Sequence, residues 1–196
     1  MDKRKGDWQQ TFRGAQFWAL DPRPEEIDVR DIAHALALQC RFAGACRVPY
    51  SVAEHSVRVS RVVEAQFFDG IYSREERSMY ALGGLLHDAS EAYCVDVPRP
   101  LKPHLAGYRE IEHRVTAAVE EWAGLPDGAC SFVWVKNADE VLLMTEKRDL
   151  MAPAPVPWTF AQGVVCEPLA ETIVPWTWQE AEERFLARYH ELRSMR

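Results

Sequence analysis

Two histidines, an aspartate beside the second and a later aspartate are the residues best placed to do chemistry: His55, His87, Asp88 and Asp139. Imidazole nitrogen and carboxylate oxygen together suit a borderline divalent ion such as Co²⁺, Mn²⁺, Zn²⁺ or Fe²⁺. His87 and Asp88 close an apolar helical run, where neighbouring residues at a helix end can both reach one ion. His55 follows Val52 by one turn and precedes Val59 by four residues, so it points with an apolar stripe. Ala138 and Leu142 flank Asp139 on its face, which turns that carboxylate inward. An HD dipeptide alone is a weak signal, and a single histidine on an apolar face is usually a hydrogen-bonded core residue. Buried carboxylates are costly unless paired or bound to a metal. Inward polar groups from three helices therefore make one shared ion the simpler explanation. Glu91 lies four residues after His87 and three after Asp88, one turn away. A carboxyl there could orient a water or protonate a departing oxygen.

The elements that must position these groups read as helices, and the expected class is all-α. Apolar spacing predicts helices from Asp28 to Leu38 and from Ser51 to Phe68, the latter through Val52, Val59, Val62, Val63 and Phe67. Ser51 with Glu54, and Ser73 with Glu76, match capping boxes, the second opening a helix that carries Met79, Leu82, Leu85 and Leu86. Further helices are expected from Tyr108 to Trp122, stopped by Gly124, from Val133 to Met151 and from Gln179 to Leu192. Strand signals are thin, with room for a small β-hairpin between Cys40 and Tyr50. The Pro- and Trp-rich stretch 152–178 is too long for a plain connector and reads as a lid, a pair of short strands or a wrapping edge.

At 196 residues the chain reads as one domain, 1–196, with 47% hydrophobic and 27% charged residues excluding a disordered chain. Thirty acidic against 23 basic residues give a net charge of −7, which argues against binding a nucleic-acid polymer. No apolar run approaches a membrane span, and the charged N-terminus lacks the apolar core of a secretory signal. Five cysteines without a C-x-x-C pair fit neither a disulfide framework nor a zinc ribbon. A cytoplasmic protein with no membrane partner is expected.

The order His, His-Asp, Asp resembles the HD-domain metal-dependent phosphohydrolase superfamily. The segments CRF at 40–42, YSVAEHSVRVS at 50–60, HDASEAYCVDVPRPLK at 87–102 and KNADEVLLMTEKRDLM at 136–151 narrow the likeness. They resemble the small bacterial 5′-deoxynucleotidases and the related phage dATP triphosphohydrolases, from about Phe17 to Met151. The resemblance implies an HD-domain helical bundle, with His55, His87, Asp88 and Asp139 as metal ligands and Asp88 and Glu91 in catalysis. It implies a phosphate-binding role for Arg41, an aromatic wall against the sugar at Phe42, and a 3′-hydroxyl contact at Asp96. Lys102 matches a lysine on the phosphate tail, and Pro100 a residue shaping the base pocket; Trp18 reads as a base-stacking or lid residue. Related enzymes often carry Trp at the position of Phe42. One divalent transition metal is the implied cofactor, with a second Mg²⁺ on the phosphates as a further expectation.

The expected activity is hydrolysis of the 5′ phosphoester of a small-molecule deoxynucleotide. The products are a deoxynucleoside plus phosphate from a dNMP, or triphosphate from a dNTP, with dATP favoured. No G-x-S-x-G elbow, P-loop or Cys/His pair points to a covalent route. A hydrolase of a signalling nucleotide (cyclic dinucleotide or alarmone) and an inactive nucleotide-binding module are the alternatives. Related enzymes form symmetric assemblies, so a homo-oligomer is a further expectation.

Overall fold

The computed structural model describes residues 4–66, 72–158 and 166–195. The described chain runs β1 (Gln9–Gln10), β2 (Gln16–Phe17), α1 (Val29–Leu38), α2 (Val52–Ala65), α3 (Arg74–Leu86), α4 (Glu91–Cys94), α5 (Tyr108–Ala123), α6 (Val133–Leu150) and α7 (Trp178–Ser194). It is an all-α bundle carrying one small antiparallel hairpin, in which Gln9 faces Phe17 and Gln10 faces Gln16. The hairpin is not between Cys40 and Tyr50, where the sequence suggested it. That stretch holds a tight turn, Arg41–Gly44, closed by a lone bridge from Cys40 to Ser51. Among the described residues, no helix is long and apolar enough to cross a membrane.

Local signals account for most helix ends. Asp28 accepts from the Arg30 amide, Ser73 and Glu76 form a full capping box, and Gly124 ends α5 at φ 62°. The box at Ser51 forms by half: Ser51 accepts from the Glu54 amide, but the Glu54 carboxylate turns to Arg58 and to the amide of Trp176. Charge pairing with Arg58 and the Trp176 amide outcompete the N-cap backbone for the Glu54 carboxylate. Phe67 and Phe68, expected to extend α2, lie outside the described residues.

Helix α2 runs through the middle, packed by α1, α3, α6 and α7, and buries His55 among Val52, Val57, Val59 and Val63. Its most extensive contact is with α3, where Gly84 permits a close approach to α2 and Gly83 admits the backbone of Ala129. A Cβ at Gly84 would lie 3.2 Å from Ser60 Cα, and one at Gly83 would lie 2.9 Å from the Ala129 carbonyl. Because Ser60 donates to the Ala81 carbonyl while His55 meets His87, the two helices run antiparallel. Among the described residues of 152–178, neither helix nor strand precedes Trp178. Their amides are satisfied by the bundle: Leu169 on Thr145, Ile173 on Asp149, Trp176 on Glu54.

Val95, which caps α4, sits at φ 68° and ψ 144°, a region that a β-branched residue scarcely tolerates. Its side chain is 61% exposed, so little packing is lost by removing it. Val95→Gly is expected to raise stability by about 1 kcal/mol, relief of strain outweighing glycine's extra chain entropy. A urea midpoint below that of the parent protein would sink this reading.

Candidate metal centre

The antiparallel pairing of α2 and α3 brings two imidazoles face to face. His87 caps α3, and its Nδ1 donates to the Gly84 carbonyl at 2.8 Å. A carbonyl only accepts, so the hydrogen sits on Nδ1 and the Nε2 lone pair faces inward. On α2, the His55 Nδ1 donates to Glu146 Oε1 at 2.6 Å. The two Nε2 atoms stand 3.3 Å apart. Asp88 follows His87 in the turn and places Oδ2 3.2 Å from His87 Nε2 and 3.7 Å from His55 Nε2. One donor atom each from His55, His87 and Asp88 fall within 4.8 Å of one another. Asp139, on α6, joins at one side, with Oδ1 3.3 Å from His55 Nε2 and Oδ2 3.4 Å from Arg99.

This donor set fits a divalent cation. Two imidazole nitrogens and the Asp88 carboxylate converge, the Asp139 carboxylate stands at their edge, and the back of each imidazole is fixed by a hydrogen bond, as metal-bound histidines are. The electrostatics agree. Burial and the Arg41 charge oppose protonation of His55, yet Glu146 and Asp139 outweigh them and push it up to about 9. Against the cost of burial, His87, His55 and Arg41 hold the Asp88 carboxyl far below the usual range. Asp139, half-buried, is drawn down to about 2 against the cost of burial, chiefly by His55. The cluster favours a positive charge at its centre.

A cleft of about 420 Å³ opens onto Asp88 and Asp139. Arg41, Phe42, Glu91, Asp96, Pro100 and Lys102 line it, so these sequence-predicted residues share one space with the cluster. Trp18 does not line it; it lies under the Arg4 guanidinium, 4.1 Å from the ring centre, outside this cleft. The spacing that put Glu91 on the helix of His87 is realised differently. The chain turns between α3 and α4, and the Glu91 amide bonds the Asp88 carbonyl at 2.9 Å. Glu91 is 4% exposed, with Oε1 3.4 Å from Lys102 Nζ and Oε2 buried without a partner. Burial, then Asp88 and Asp96, raise its pKa well above that of an ordinary carboxyl. Asp96 is raised as well, chiefly by burial. Arg41 bonds Glu146 at 3.2 Å and Asp88 at 3.4 Å, so it faces both the cluster and the cleft.

The uncharacterized protein YfdR of Escherichia coli (strain K12) is 34% identical over 186 residues, 95% of this chain and 96% of that protein. The chain belongs to the YfdR family. An uncharacterized protein of Rhodobacter capsulatus is 40% identical over 125 residues, 62% of this chain and 61% of that one. No family model matches. The YfdR-family likeness spans nearly the whole chain, so it takes in the segment after Met151 as well as the cluster.

Three residues of this YfdR-family site escape a reading for ligands. Glu146 is fully buried and ties His55 to Arg41. It lies seven residues after Asp139, two turns along the same face of α6, and that interval was its available signal. Gln39, just past α1, donates to the Glu91 carbonyl at 3.0 Å and accepts from the Asp96 amide at 3.1 Å. It thereby clamps both ends of the segment that presents those carboxyls. Arg99 pairs with Asp139 and with Glu140 at 2.7 Å, inside the cleft. Nothing in their local spacing marks Gln39 or Arg99.

Proposed function

We propose that this chain is an HD-type metal-dependent phosphohydrolase that cleaves the 5′ phosphoester of deoxynucleotides. The products are a deoxynucleoside and phosphate, or triphosphate when the substrate is a dNTP such as dATP. The observation that carries the reading is the cluster of His55, His87 and Asp88, with Asp139 against His55 at its edge, whose two aspartates line a cleft that also holds an arginine and a buried glutamic acid. A divalent ion held by those four residues would polarise a phosphoryl oxygen and lower the pKa of a water. In the cleft Arg41, Arg99 and Lys102 are already matched by Asp88, Asp96 and Asp139, so a phosphate would draw on the ion's added charge.

Arg41 turns its planar fork toward phosphate oxygens while Glu146 holds it from behind. Burial, with Asp88 and Asp96 nearby, biases the Glu91 carboxyl toward its protonated form, and from there it can deliver a proton to the 5′ oxygen as the P–O bond breaks. The water's oxygen ends on phosphorus, and the proton it gives up restores the Glu91 acid. Lys102, beside Glu91, neutralises a phosphate tail, and Asp96 accepts from the sugar 3′-hydroxyl. Phe42 is held at φ 56°, with Ala43 at φ 50°, a costly pair of left-handed residues that sets its ring in the cleft wall against the sugar.

The test is a panel of dAMP, dATP, AMP, ATP, a cyclic dinucleotide and a guanosine alarmone, each with Co²⁺, Mn²⁺, Zn²⁺ or Mg²⁺. Release of a deoxynucleoside with phosphate or triphosphate is expected, and Glu91→Gln should lower kcat about 10²-fold. Turnover of the signalling nucleotides alone, or none with any metal, overturns the proposal.

A further inference from the structure

Beyond Phe42, the apolar lining of the cleft has no task in the chemistry above. Phe42, Leu143, Met151 and Trp158 belong to it, in the same cleft as the carboxyls and Lys102. One of them, Trp158, belongs to the segment that follows α6. The arrangement is graded. The Arg41 guanidinium lies 5.3 Å from the Phe42 ring centre, and that ring lies 6.1 Å from the Trp158 ring, tilted by 45°. Cation, first ring and second ring thus succeed one another from the metal cluster outward. A nucleotide presents its parts in the same order: phosphate, sugar, base.

Helix α6 ties the two ends together. Asp139, Leu143 and Lys147 recur every four residues and share one face. Asp139 reaches His55, Leu143 lines the cleft, and Lys147 Nζ stands 4.8 Å from the Trp158 ring centre. The cation steadies the indole through its π face. The helix that fixes one metal-binding carboxylate therefore also fixes the position of the indole.

We infer that Trp158, with Phe42 inside it, is the stacking platform for the nucleobase. The inference rests on the proposed deoxynucleotide reading of the same cleft. Every base has a π face, so such a platform gives affinity for nucleotides over bare sugar phosphates with little choice among bases.

The experiment compares the KM of the better deoxynucleotide substrate with the Ki of 2-deoxyribose 5-phosphate, a competitor that has the sugar and phosphate but no base. Trp158→Ala should raise that KM about tenfold while the Ki moves less than twofold. Trp158→Phe, which keeps a ring, should restore most of the lost affinity. If KM and Ki rise together, or neither moves, Trp158 is no base platform. If the parent protein hydrolyses no deoxynucleotide, the proposed function fails first and takes this inference with it.

Discussion

Asp88→Ala is expected to lower kcat for deoxynucleotide hydrolysis about 10³-fold or more and to strip the protein of its divalent ion. Among the described residues, Asp88 is the carboxylate placed within 3.7 Å of both facing imidazoles, through one oxygen. Removing it leaves two neutral nitrogens and Asp139, whose contact with the cluster runs through His55. An ion that supplies several kcal/mol of transition-state stabilisation is worth about a thousandfold or more in rate. Asp139→Ala should have the same sign and a smaller effect on metal affinity, because it removes a donor from the edge rather than the middle. Metal content after dialysis and initial rates at saturating substrate are the measurements. A variant with full metal content and full rate removes Asp88 from the site and the proposed reaction with it.

The legible parts of this molecule were those where one residue's local setting carries the information. Ser73 with Glu76, Asp28 and Gly124 mark helix ends because caps act within one turn. His55 showed itself because a polar ring on a valine stripe must be buried, and its partner in the cluster is buried by the same logic. What could not be read depends on distant contacts. The left-handed backbone at Phe42 and Ala43 is imposed by what surrounds the turn, since neither residue favours it. Strands of two residues, as in β1 and β2, are too short to show alternation, so the hairpin at the N-terminal end left no trace. Glu146 sits among Lys147, Arg148 and Asp149, where a glutamate looks solvated; only the packing of α6 on α2 buries it. Trp158 had no motif around it, and its place in the cleft follows from how the chain folds back after Met151.

That buried glutamate should carry the largest stability effect in the protein. Glu146 is fully enclosed, donates nothing, and accepts from His55 on one side and Arg41 on the other. Alanine there leaves a buried ring and a buried guanidinium each short of a partner. Breaking a buried pair from one side costs about 3–5 kcal/mol. Glu146→Ala should lose that much in urea unfolding of the metal-free protein, and Glu146→Gln, which keeps an acceptor for His55, about 1–3 kcal/mol. The loss should depend on pH. Burial works against the Glu146 charge, but Arg41 and His55 outweigh it and hold the carboxyl below its ordinary 4.5. Its contribution is therefore complete above pH 4.5 and disappears as pH falls through the lower folded-state value. His55 is pushed the other way, from 6.5 to about 9, so its share is complete below 6.5 and disappears as pH rises through about 9. The gap between parent and variant should be widest between these limits and shrink on both sides. A flat gap, or a Glu146→Ala protein within 1 kcal/mol of the parent at pH 6, means that Arg41 and His55 find other partners. In the metal-loaded protein the same substitution loosens the ring that Glu146 orients, and metal affinity should fall about 10- to 100-fold.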